Sequence, residues 1–199
     1  MTDFNPFEST SGGGDWDLIP QGPYAARCVR IIEIGKQTSQ KYPDPKNKVV
    51  IAFTIPSQKI EIGGEQKQRM ISNPFGLTIS NWENAPLRRY ADALCPQGGS
   101  SLGDMLGQAA QIYVKHTPPN KDGKVFEKID SVAALLPDVV VPDADVPLLW
   151  FKWNDPDIEV YAQLPEKTQE RIKSAVNYPG SKVEEMVQMY ETAMHDVPM

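Results

Sequence analysis

The chain has 199 residues, 40% of them apolar and 23% charged, with a net charge of −6. That size holds one domain with an appendage or two small domains, and the composition argues against wholesale disorder. The chain has two cysteines and two histidines, with no CxxC pair and no ligand-spaced cluster. Neither a disulfide framework nor a metal site is expected, and no cofactor.

Residues 1–20 are acidic and lack the basic start and apolar stretch of a signal peptide. Within them Ser9 to Gly14 reads STSGGG, the composition of a mobile arm. No apolar run approaches the roughly 18–20 residues that span a bilayer, so a cytoplasmic protein is expected.

From Gly22 the segment GPYAARCVRIIEIG is β-branched and partly alternating, which predicts a long strand. KQTSQKYPDPKNK predicts a loop, VVIAFTIP a second strand, and IEIGGEQKQRMIS a hairpin at Gly63-Gly64 leading into a third strand that FGLTIS extends. Asn81 or Asn84 then caps a helix with Leu87, Tyr90, Ala91 and Leu94 on one face, stopped at Pro96. SLGDMLG predicts a further short helical piece. AAQIYVKHT and KVFEKIDSVAAL predict two strands joined by PPNKDG, whose Asp122-Gly123 is a hairpin signal.

PDVVVPDADVP, with Pro137, Pro142 and Pro147, predicts an extended acidic linker. Beyond it, DIEVYAQL, PEKTQERIKSA with Pro165 in its first turn, and SKVEEMVQMYETAM predict helices. The last carries Val183, Met186, Val187 and Tyr190 at amphipathic spacing. LLWFKW anchors this tail by its aromatics Trp150, Phe151 and Trp153.

The order β-β-β-α-β-β followed by helices is that of the five-stranded OB barrel, with its helix between strands three and four. The expected class is therefore mainly β with helices. An acidic arm (1–20) precedes an OB-like barrel (21–136), a Pro-rich linker (137–147) and a helical region (148–199).

Charge is sorted along these parts. Residues 21–130 hold 15 Lys/Arg and 10 Asp/Glu, a net +5, whereas the flanks hold 5 and 16, a net −11. A basic module favours a polyanion through counterion release, and acidic flanks compete with one.

The pattern also resembles a bacteriophage family, on Gly22, Tyr24, Ala26, Arg27 and Gly35 in the first strand and Phe53 in the second. Leu106, Gly107, Val114 and His116 continue it, then Gly123, Lys124, Phe126 and Ile129. The family comprises OB-fold single-stranded DNA-binding proteins of phage replication and recombination cassettes. The resemblance spans residues 21–136 and implies that fold, that ligand and a host-cell cytoplasmic location. Gln108 departs from it, standing where a lysine is common. The terminal Asp196, Val197, Pro198 and Met199 resemble the acidic, apolar–Pro–Phe tip by which bacterial single-stranded DNA-binding proteins dock partners, with Met for Phe. That implies replication or recombination proteins as partners, and the sequence is compatible with an oligomer.

Gripping a single strand takes cations along a trough and exposed rings for base stacking. Candidates for phosphate are Arg27 and Arg30 on the first strand, then Lys36, Lys41, Lys46 and Lys48 at the first loop. Lys67 and Arg69 lie on the third strand, and Lys115, Lys121 and Lys124 lie around the last hairpin. Tyr42, in a polar loop, and Tyr113, alternating with Ile112 and Val114, are the candidate stacking rings. Trp82 reads as a hydrophobic staple or a platform, and Phe53 as core. OB barrels bind across strands two and three with the first and last hairpins as walls.

No catalytic residue is expected. There is no GxxxxGK[ST] and no GxSxG, and pairs such as Asp143/Asp145, Asp155/Asp157 and Glu184/Glu185 read as solvated charge. The competing expectation is a phage structural or adaptor protein that uses the barrel for protein docking.

Overall fold

The structure, a computed structural model, describes residues 17–38, 44–80 and 82–195. It is mainly β, an open sheet of seven strands with a few helices. The main path runs β3 (Glu65–Ser72), β2 (Lys46–Ile62), β1 (Gly22–Gln37), β5 (Ala109–His116), β6 (Glu127–Ala133), with antiparallel neighbours throughout. Two short strands branch from it. β4 (Leu77–Thr78) pairs with β2, and β7 (Leu149–Phe151) pairs parallel to β1. Seven strands stand where five were expected, and among the described residues no ladder joins β3 to β6.

β1 is long enough to serve both halves of the sheet, its first residues pairing with β5 and its later ones with β2. A register shift between Cys28 and Arg30 marks a bulge, and a bulge bends a strand. One face carries Ala26, Cys28, Ile31, Val49, Ile51, Phe53 and Ile71, the main core, closed by α1 (Pro86–Leu94) through Leu87, Tyr90 and Leu94. α1 starts at Pro86 with Ala85 as its N-cap, not an asparagine; Asn81 lies outside the described residues. Pro86 presets the helical φ and lacks the N–H that would otherwise go unsatisfied.

The opposite face of β1 and β2 is equally apolar. Ile32, Ile34 and Val50 meet Phe151, Tyr161, Leu164, Ile172, Val183, Met186 and Val187 in a second core. These come from β7, α2 (Ile158–Ala162), α3 (Glu166–Lys173) and α4 (Lys182–His195). The helical region is thus built onto the sheet, because β1 has no polar face to show to water. Asp157 caps α2 by accepting from the Glu159 and Val160 amides, and Pro165 is the N-cap of α3 rather than its first helical residue.

Tyr161 is fully buried, and its hydroxyl has no hydrogen-bond partner among the described residues. A desolvated hydroxyl without a partner gives no net stability. Tyr161→Phe is therefore expected to leave the urea midpoint unchanged or raise it; a loss above about 1 kcal/mol counts against this arrangement.

The segment read as a linker is a strap. Val141 is buried, and Ala144 and Val146 pack on Val29, Ala52 and Met70 of the sheet. FGLTIS does not extend β3: the turn at Asn73–Gly76 reverses the chain, so Leu77 and Thr78 form β4. SLGDMLG holds a single 3-10 turn, Leu102–Met105, with a capping box of Ser101 and Asp104. The N-terminal arm is docked at its end, where Ile19 is fully buried.

Candidate nucleic-acid interface

The sequence candidates fall into four places. At the C-terminal end of β1, Lys36 and Gln37 pair with Asn47 and Lys46. Lys36 and Lys48 line a cleft of about 350 Å³ there, with Gly35, Asn47, Ile79, Trp153, Asn154 and Asn177 among its walls. Lys41 and Tyr42 lie outside the described residues, as do Asp196, Val197, Pro198 and Met199.

At the other end of β1, Gly22 pairs with Val114, so the 117–126 turn carrying exposed Lys121 and Lys124 is far along the strand from the first loop. Tyr113 is 39% exposed beside it, with the Lys115 ammonium 5.8 Å from its ring centroid. Lys115 is paired with Asp130 at 2.7 Å, a contact that raises the lysine pKa and lowers the aspartate's. These residues form a second, partly neutralised patch.

The third place is beneath the strap. Arg27 donates to the Pro142 carbonyl at 3.0 Å, to the Gly107 carbonyl at 2.7 Å and to the Val141 carbonyl. It also pairs with Asp143 at 3.4 Å. Arg30 is only 6% exposed, and burial pushes its pKa down to about 10. The Gln68 amide donates to the Asp145 carboxylate at 2.6 Å. The strap therefore covers the outer face around Val29, Ala52 and Met70, part of the surface across strands two and three where OB barrels bind. Arg27 holds the strap, and Arg30 is buried rather than facing solvent.

The fourth place is the gap between β3 and β6. Arg69 pairs with Glu127 at 2.9 Å, both side chains nearly enclosed. Lys67 is held by its neighbour Glu65 at 2.5 Å.

The cleft end gains two rings. The Asn73–Gly76 turn is closed by Gly76 N–H to Asn73 O, 2.9 Å, with Gly76 at φ +69. The Asn73 side chain is tied to the Ile51 amide at 2.8 Å. Phe75 is thereby thrown outward, 79% exposed. From there Leu77 to Ile79 run beside Asn47–Val49 to Trp82, 69% exposed. Neither ring serves a core.

Lys48 donates to the Phe75 carbonyl at 3.4 Å, and so does Arg171 of α3 at 3.3 Å. Burial lowers the Lys48 pKa, and the neighbouring Arg171 charge lowers it further. Burial also lowers that of Arg171. Glu33 is the carboxylate lining the cleft, and it is occupied by the Trp150 indole N–H at 3.3 Å and the Trp153 amide at 3.1 Å.

Phe75 and Arg171 were not among the sequence candidates. The Asn-Pro-Phe-Gly turn signal was there to place Phe75 outside a strand. Nothing in the sequence links Arg171 to Lys48. Comparison with models of protein families and with curated proteins finds no match for the chain. Among the described residues no cluster of three or more His, Cys, Asp or Glu has metal-site geometry, and no helix is long and apolar enough to cross a membrane.

Proposed function

We propose that this protein binds single-stranded DNA largely without sequence preference, in phage DNA replication or recombination in the host-cell cytoplasm. The observation that carries the reading is exposed rings beside cations at one end of the sheet: Lys36 and Lys48 line the cleft, Lys48 and Arg171 both donate to the carbonyl of Phe75, and the Phe75 and Trp82 rings are exposed. Bare aromatic surface is costly in water, and its pairing with cations suits a ligand that is itself a row of π-faces and phosphates. The strand order supports an OB-like barrel, in which the Arg69–Glu127 pair brings the edges of β3 and β6 together. The ligand path differs from the one the resemblance implies, running along the end of the β1–β2 hairpin rather than beneath the strap.

Oligo-dT titrations followed by tryptophan fluorescence test this. Quenching is expected, with log K falling against log salt by about 0.7 per phosphate engaged. Trp82→Ala and Phe75→Ala are each expected to weaken binding by about 1–3 kcal/mol, the value of one stacked base. Tyr113→Ala is expected to have a smaller effect. Salt-independent association, or none, would instead favour the docking adaptor.

A further inference from the structure

We propose that Lys48 and Arg171, converging over Phe75, form a dedicated phosphate seat, and that the C-terminal helical region thereby supplies part of the DNA-binding surface. The inference rests on the single-strand reading and names a subsite within it. Two cations, 123 positions apart in sequence, aim at the same backbone oxygen, the Phe75 carbonyl, at 3.4 and 3.3 Å. One neutral carbonyl does not balance two positive charges; burial lowers the Lys48 pKa, and the Arg171 charge lowers it further.

Neither side chain has a carboxylate partner within ion-pair distance among the described residues, although such partners are common on this surface. Lys173, two residues along the same helix, is paired with Glu191 of α4, and Lys152 with Asp155. A guanidinium carries five N–H donors and an ammonium three, so most donors of the pair remain for an anion. A phosphodiester oxygen is the anion that also comes attached to a base, and the Phe75 ring lies on the residue that holds both cations. One nucleotide unit fits this arrangement: phosphate on Lys48 and Arg171, base on Phe75. The seat adjoins the cleft because Lys48 lines that as well.

The test has two arms. In oligo-dT titrations from low to moderate salt, Arg171→Gln is expected to weaken binding about tenfold and to flatten the salt slope by about 0.7. Arg171→Lys should recover most of the slope, and Phe75→Ala should lose affinity with the slope intact. Thermal melting verifies that each variant is folded.

In the second arm, inorganic pyrophosphate is titrated into the isotopically labelled protein while amide shifts are followed. Shifts at Lys48, Phe75 and Gly76 that vanish in Arg171→Gln support the seat independently of DNA. Wild-type binding to oligo-dT with unchanged affinity and slope in Arg171→Gln would overturn the seat and leave the single-strand reading standing. Pyrophosphate shifts without oligo-dT binding would do the reverse. Shifts confined to Lys115, Lys121 and Lys124 would move the phosphate path to the opposite hairpin and sink the seat.

Discussion

Gly35→Ala is expected to lower stability by about 2–5 kcal/mol, from two costs acting together. Gly35 sits at φ +70, where an L side chain is strained by about 1–2 kcal/mol. A Cβ there would also lie 2.4 Å from two atoms of the Trp153 ring and 2.8 Å from the Ala175 Cβ. The Trp153 backbone amide donates to Glu33, so the residue is anchored at its backbone and only the ring can move to relieve the clash. Overpacking of this kind costs about 1–3 kcal/mol. Gly63 separates the two contributions. It has φ +59, but a methyl added there would meet nothing within 4 Å, so Gly63→Ala carries only the backbone cost. Urea unfolding of both variants is the measurement. Equal losses would show that Trp153 does not lie on Gly35. Because Gly35 and Trp153 both line the cleft, Gly35→Ala is also expected to weaken oligo-dT binding.

Glu127→Ala is the other large effect, expected at about 3–5 kcal/mol, the range for stripping the partner from a buried charge. The Glu127 side chain is 1% exposed and that of Arg69 10%. One carboxylate oxygen accepts from both the Arg69 guanidinium and the Ile19 amide, so it joins β6, β3 and the end of the N-terminal arm. Removing it leaves the Ile19 amide without its acceptor and the Arg69 guanidinium without its counter-charge, with only the Asp17 carbonyl still accepting from it. Removing both charges is different. Arg69→Met with Glu127→Met leaves neither ion behind, and the double variant is expected to lose less than Glu127→Ala alone. A double-mutant cycle in urea, with Arg69→Met and Glu127→Met also made singly, reads the coupling. If Glu127→Ala costs under about 1 kcal/mol, the pair is effectively solvated and the two sheet edges are not held by it.

The strand pattern was legible because alternation and turn chemistry are local. The first strand, the Gly63-Gly64 hairpin and the amphipathic face of α4 all follow from spacing within a dozen residues. The misreadings share a cause. Pro137, Pro142 and Pro147 announce an extended segment but not whether it is free. Ala144 and Val146 lie down because β1, β2 and β3 offer Val29, Ala52 and Met70 on a face that needs covering. Arg27 and Arg30 look like surface cations in a one-dimensional charge count. The Cys28/Arg30 bulge and the strap above them turn one into a clamp and bury the other.

Composition and local periodicity were sufficient for a mainly β protein with a helix between its strands, helices at the end, and cations sorted into its central part. They do so because secondary structure and charge density are set by near neighbours. Which cations face solvent, and that Phe75 and Arg171 join Lys48, depended on long-range packing. A residue's exposure is a property of whatever folds over it, and here that cover arrives more than a hundred residues later.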